Sequence, residues 1–196
     1  MNLLNENMNN LLIKLREFSA ETYLHSVRVS KLCVEFGRSI GLKDEDIEKL
    51  RIAGLFHDIG KLCIPNQIIH KAGRLSKEEY ECVKMHSFLG VRLLIDAKVD
   101  DKEILDMVLK HHERPDGLGY PNGLMDDNIS YLTSILTICD CYDAMNSKRR
   151  YHEKMDCEYI NNELLTNSGT QFNSYYVNLF LNFINDMDSP IKKSKN

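Results

Sequence analysis

Apolar positions along this chain recur with a helical period, and alternating strand patterns are scarce. Val29, Leu32, Cys33, Phe36 and Ile40 follow an i, i+3, i+4, i+7 course with one late repeat, and Gly41 stands where that helix can end. A second helix is predicted from Asp44, with Ile47, Leu50, Ala53 and Gly54 inward. Ser76-Lys77-Glu78-Glu79 has the capping-box form and opens a third, which His86 closes. Leu105, Val108, Leu109 and His112 share one face of a fourth; Leu132, Ile135, Leu136 and Cys139 share one face of a fifth. Two more helices are expected at about 153–167 and 174–187. Ahead of them all, Leu11, Leu12, Leu15 and Phe18 have the spacing of a short leading helix. The period stops at 113–127, where glycines and prolines mark an irregular loop of the kind that shapes a pocket edge.

This pattern predicts a single-domain, all-α helical bundle. Residues 1–18 are read as a short N-terminal helical extension, 19–188 as the domain proper, and 189–196 as a frayed basic tail. A chain of 196 residues is long enough to bury a substantial core. The net charge of -4 disfavours a polymeric nucleic-acid partner, which usually meets a basic excess. A small anionic ligand stays open, because bound cations bring their own positive charge. No stretch approaches the roughly 18 apolar residues of a membrane span. Met1-Asn2-Leu3-Leu4-Asn5-Glu6 lacks a basic region followed by an apolar run, so a cytoplasmic location with no membrane partner is expected. Six cysteines form no CxxC pair, and reduced, mostly buried thiols are expected. Cys139 and Cys141 flank Asp140 but point to different helix faces, so they are not read as a zinc pair.

The candidate chemistry lies in the histidines. Of seven, His25, His57, His86, His111 and His112 fall at the edges of apolar stripes. Glu21 projects from the same face as His25, Asp58 follows His57, and Asp140 follows Leu136 by one turn. Any one of them alone is more commonly a hydrogen-bonded core residue. The set is different. Burying even a neutral polar group unpaired costs roughly 2–7 kcal/mol, and a shared cation removes that cost for Asp58, Asp140 and the imidazoles together. Imidazole and carboxylate without thiolate suit iron, manganese or zinc.

His57-Asp58-Ile59-Gly60-Lys61 resembles the signature of the HD superfamily of metal-dependent phosphohydrolases. The run His111-His112-Glu113-Arg114-Pro115-Asp116-Gly117-Leu118-Gly119-Tyr120-Pro121 resembles the second signature of the HD-GYP family, with Gly119-Tyr120-Pro121 as the namesake tripeptide. Glu21–His25, the loop through Ile64-Pro65 and Lys71-Ala72-Gly73, Asp140–Met145 and Gly169-Thr170-Gln171-Phe172 resemble further family segments in the same order. The resemblance covers about residues 20–185.

It implies an HD-type bundle that hydrolyses cyclic di-GMP to pGpG or onward to GMP. His25, His57, Asp58 and Asp140 would hold one divalent ion, and Asp58 would bridge to a second held by His86, His111 and His112. Glu21 matches the extra carboxylate of members with a third ion. Iron or manganese is implied first, with zinc or nickel as substitutes. Asp58 and Lys61 take the catalytic roles; Lys61, Gly119, Tyr120, Pro121, Arg149 and His152 take the substrate. Gly117 and Gly119 are expected at positive-φ or close-approach positions.

The chain departs from the pattern at Ala72, Ser87, Arg150, His152 and Asn173-Ser174, which leaves the metal ligands intact and substrate choice open. Three alternatives therefore stand beside cyclic di-GMP hydrolysis: another cyclic dinucleotide such as cyclic GMP-AMP, a non-catalytic protein-interaction module, and di-iron oxygenase chemistry. Regulation is expected from a separate partner protein, metal availability or expression, and a homo-oligomer stays open.

Overall fold

A computed structural model describes residues 4–147 and 155–188. Arg149, Arg150, His152 and the tail 189–196 lie outside the described residues. The described residues form ten α-helices: α1 (Glu6–Phe18), α2 (Ala20–Ser39), α3 (Asp44–Phe56), α4 (Asn66–Ile69), α5 (Lys77–Lys84), α6 (His86–Asp96), α7 (Lys102–Lys110), α8 (Tyr131–Asn146), α9 (Cys157–Thr166) and α10 (Ser174–Asp188). Short 3-10 turns occupy Ile59–Cys63 and Asp126–Asn128, and no strand occurs among the described residues. The all-α expectation holds.

Side chains of the preceding residue start most of the helices. Asn5, Ser19, Ser76, Asp101 and Ser130 each accept a hydrogen bond from a backbone N–H of the first turn, and Ser76 with Glu79 completes a full capping box. Asn173 does the same for α10, its Oδ1 accepting from Tyr175 N at 3.1 Å and Tyr176 N at 3.3 Å. Gly41, at φ +74°, follows the end of α2.

The core runs through all the long helices. Leu15, Val29, Phe36, Leu50, Phe56, Leu94, Met107, Leu132, Leu136 and Phe180 are buried in one cluster. Helix α2 is its axis, packed by α1, α3, α8 and α10. Helix α1 belongs to the same core through Met8, Leu11 and Leu15, and Asn5 ties it to α6 by donating to the Ala97 carbonyl at 2.8 Å.

Three sequence expectations change. His86 does not close the helix begun at Ser76: that helix stops at Lys84, and His86 opens α6. The buried face of α7 is Ile104, Met107 and Val108, leading to His111, whereas Leu105 and Leu109 are half-buried. The α7 stripe is one residue out of phase because Met107, not Leu109, turns to the core. Only Cys33 and Cys139 are buried; Cys63 and Cys157 are exposed, since each sits at the end of an element facing solvent. None of the six forms a disulfide.

Candidate metal centre

Helices α2, α3, α6, α7 and α8 each deliver one or two polar side chains to a single point. The close approaches are set by small residues. At Gly60 a Cβ would fall on the His86 carbonyl oxygen, so only glycine lets the turn after Asp58 press against α6. At Gly119 a Cβ would stand 2.6 Å from both the Glu113 Cα and the His112 carbonyl oxygen, so the tripeptide loop folds directly onto the end of α7.

The site has two halves joined by Asp58. In the first, ligand atoms of His25, His57 and Asp58 lie within 4.8 Å of one another, and Asp140 Oδ1 is 2.9 Å from His25 Nε2 and 3.6 Å from His57 Nε2. In the second, His86, His111 and His112 lie within 4.8 Å of one another. Asp58 divides its oxygens between them: Oδ2 is 3.5 Å from His57 Nε2, and Oδ1 is 3.5 Å from His86 Nε2. Lys61 Nζ caps Oδ2 at 2.6 Å.

The donor set fits cations. The Nδ1 atoms of His57, His86 and His111 each point at the carbonyl three residues back, at 2.9, 2.7 and 2.8 Å. That bond fixes each ring with Nε2 facing inward; in His86 and His111, which burial keeps neutral, Nε2 presents a lone pair. His57 Nε2 is buried with no hydrogen-bond partner. The Nε2 atoms of His86 and His111 face each other at 3.2 Å, lone pair against lone pair. His25 repeats the pattern, its Nδ1 on Asp143 Oδ2 at 2.7 Å and its Nε2 on Asp140. A cation bonded at about 2.0–2.2 Å to each ligand satisfies such a set.

Electrostatics separate the halves. Burial pushes the His57 imidazolium down, but Asp58 and Asp140 outweigh it and raise its pKa to about 10. Burial likewise raises the carboxyls of Asp58 and Asp140; Lys61 and His57 for one, His25 and His57 for the other, hold both well below the usual range. In the second half burial dominates. His86 is lowered, His111 well lowered by burial and by His112, and His112 is pushed down to about 3. These imidazoles are neutral at physiological pH, the form that binds metal.

A cleft of about 250 Å³ opens on the first half, lined by Glu21, His25, Asp58, Lys61, His70 and Lys71 among others. Glu21 sits on its exposed rim and is in neither histidine cluster. Tyr120 lies on the other side, stacked on His112 with ring centroids 4.7 Å apart. The Tyr120-Pro121 peptide is cis, and Gly117 has φ +75°.

Three supporting residues escaped the sequence reading. Asp143 accepts from His25 and from Arg28 Nε at 2.8 Å and Nη2 at 3.0 Å. Its signal was the i, i+3 spacing from Asp140. Buried Glu113 accepts from Asn122 N at 2.6 Å and Leu124 N at 2.8 Å, closing the loop. Thr137 donates to the His111 carbonyl at 2.9 Å.

A helical bundle that gathers an adjacent His-Asp pair, four further histidines and a second aspartate around one cleft defines an HD-type domain. A family model described as an HD domain matches residues 7–173, and the chain belongs to that family, in its HD-GYP branch. A Pseudomonas aeruginosa protein named a cyclic di-GMP phosphodiesterase is 40% identical over 71% of this chain and 34% of its own length. A Vibrio cholerae protein named a 3'3'-cGAMP-specific phosphodiesterase is 34% identical over 83% of this chain and 31% of its own. A Thermotoga maritima cyclic di-GMP phosphodiesterase is 32% identical over 95% and 50%. The chain thus spans about a third to a half of these curated relatives. The fold is also that of the L. monocytogenes PgpH HD domain crystallised with cyclic-di-AMP, with a TM-score of 0.68, 19% identity, and coverage of 91% of this chain and 94% of that one.

Proposed function

We propose that this chain is a metal-dependent cyclic dinucleotide phosphodiesterase, with cyclic di-GMP as its substrate. The observation that carries this reading is the divided carboxylate of Asp58, one oxygen toward each histidine cluster, with Lys61 on the cleft side. Relatives named for the same reaction support it.

His25, His57, Asp58 and Asp140 would hold one ion and His86, His111 and His112, with Asp58, a second; Glu21 is the candidate for a third. Two such divalent ions supply an activated water near neutral pH and offset charge on the phosphoryl oxygens. Iron or manganese is the proposed pair. Lys61 carries its ammonium at the cleft, where it offsets phosphate charge and stands ready to protonate the departing ribose oxygen. Its bond to Asp58 holds it there at 2.6 Å. Hydrolysis breaks one P–O bond and yields pGpG; a second round yields GMP. Gly119 and Pro121 shape the far wall, and Arg149 and His152 remain candidate phosphate or base contacts. The reaction belongs to the cytoplasm, where cyclic dinucleotides are made.

A second reading rests on the relatives named for 3'3'-cGAMP, at 34% and 36% identity: the same site would then cleave a mixed cyclic dinucleotide. One experiment separates these. Protein purified without oxygen and loaded with iron or manganese is incubated with cyclic di-GMP, 3'3'-cGAMP and cyclic di-AMP, and products are resolved by chromatography. Turnover of cyclic di-GMP at the highest kcat/KM is expected. Preference for 3'3'-cGAMP selects the second reading, and no turnover of any of the three by metal-loaded protein sinks both.

A further inference from the structure

Four of the five clustered histidines have their rings set by a hydrogen bond from Nδ1: His25 to Asp143, His57 to Gly54, His86 to Val83 and His111 to Val108. His112 is the exception. Among the described residues no protein hydrogen bond reaches its ring nitrogens. Its ring meets His111 tilted at 4.0 Å and His86 edge-on at 5.1 Å between centroids, and Tyr120 is the neighbour that stacks on it, at 4.7 Å. The two rings stack with an interplanar angle of 29°, and the Tyr120 N–H donates to the His112 carbonyl at 3.2 Å. The tripeptide is therefore bound to His112 twice, ring on ring and backbone on backbone.

Tyr120 is itself held. Lys84 Nζ stands over its ring, 5.6 Å from the centroid, and is 5.0 Å from the Tyr80 centroid. Glu81 anchors that ammonium at 2.8 Å. The edge of His86 meets the Tyr120 ring at 6.4 Å. Gly119 leaves no room for the loop to shift, as its Cβ space is filled by the end of α7. With His112 stacked on it and Lys84 over it, the ring offers little face to a nucleobase.

We infer that Tyr120 is a positioning residue for His112, with Lys84 and Tyr80 clamping it from α5, rather than the substrate contact that the resemblance implied. Its ring does for His112 what a hydrogen bond does for the other four histidines: it fixes the imidazole plane so that the lone pair enters the second half of the centre. This rests on the reading of the histidine clusters as a metal centre.

Cobalt(II) titration of the metal-free protein, followed by visible absorption, tests it without reference to turnover. Wild type is expected to bind two equivalents. Tyr120→Phe keeps the ring and should match it within about twofold. Tyr120→Ala and Tyr120→Leu should weaken one equivalent by roughly 10–100-fold, the usual cost of losing an outer partner of a ligand, and leave the other unchanged. The unchanged equivalent and a cooperative thermal transition show that the variant is folded. Two equivalents at wild-type affinity in Tyr120→Ala overturn the inference. So does Tyr120→Phe losing as much as Tyr120→Ala, which would assign the role to the hydroxyl. A rise in KM alone in Tyr120→Ala, with cobalt affinity intact, would make the ring a substrate contact. Failure of wild type to bind cobalt at all strikes instead at the metal-centre reading.

Discussion

Asp58 and His57 are adjacent in sequence but answer to opposite forces. Burial disfavours charge on both, and each keeps it only because the other, with Lys61 and Asp140, is present. Removing His57 leaves Asp58 and Asp140 short of a partner in the dry interior. We expect His57→Ala to lose one bound ion and reduce cyclic di-GMP turnover by at least a hundredfold, measured by metal analysis and product chromatography on the same sample. Lys61→Met should behave differently. Metal content stays at the wild-type level and kcat falls, since the lysine faces the cleft and touches only one oxygen of Asp58. A Lys61→Met protein with unchanged kcat would remove Lys61 from the chemistry.

The pH response of the metal-free protein is also a residue-scale effect. His112 has a pKa of about 3 when folded and 6.5 when unfolded, so the unfolded chain takes up a proton first and stability falls as pH drops from about 6.5 toward 3. His57 is shifted the other way. Its contribution is fully present below 6.5 and is lost as pH rises through about 10. Thermal unfolding in chelator should therefore show its highest midpoint near pH 6.5. A midpoint rising steadily from pH 6.5 to 9 would contradict these assignments. Metal loading must displace the His57 proton, so it should release on the order of one proton per first-half ion at pH 7 to 8. Calorimetry in buffers of different ionisation enthalpy reads that number.

Each candidate ligand is placed by the element that carries it. His57, His86 and His111 all bond to the carbonyl three residues back, which ties ring orientation to a helical turn rather than to a loop. His25 lies mid-helix, where the backbone carbonyls are already used, so a side chain must do that job. Asp143, one turn beyond Asp140 on α8, does it, and Arg28 on α2 locks the pair. Asp143→Ala should weaken metal binding in the first half by roughly 10–100-fold and spare the second half, the reverse of Tyr120→Ala. Cobalt titration distinguishes the two. The loop after α7 is stiffened by Glu113 and by Gly119. Gly119→Ala puts a methyl against backbone atoms of His112 and Glu113, and overpacking of this kind costs about 1–3 kcal/mol. Denaturant unfolding should show that loss, together with reduced turnover.

Across the whole molecule the centre is a convergence point of five helices and one 3-10 turn, so metal and fold are linked. An ion that binds only the folded state at a hundredfold excess over its Kd adds about 2.7 kcal/mol, or on the order of 5–10 °C for a domain of this size. Chelation should lower the thermal midpoint by about that amount for each ion removed, and metal restore it. Among the described residues no helix is long and apolar enough to cross a membrane.

What the sequence by itself determined was most of the helices and the candidate residues for the chemistry. A period of 3.6 with capping residues at the right offsets specifies helices locally, and buried acidic and imidazole side chains are costly enough to stand out wherever they fall. The same local rules ran the Ser76 helix on to His86 and assigned none over α6, because Met85 keeps helical angles and nothing in the pattern marks the change of direction. They also put the α7 stripe one residue out of phase. Only the tertiary structure decided how the ligands share their partners. That Asp58 divides its oxygens, that Asp143 rather than a carbonyl orients His25, and that Tyr120 turns toward His112 are facts of approach between helices far apart in sequence. They depend on which backbones touch, and that is set by Gly60, Gly119 and the packing of the common core, not by any period along the chain.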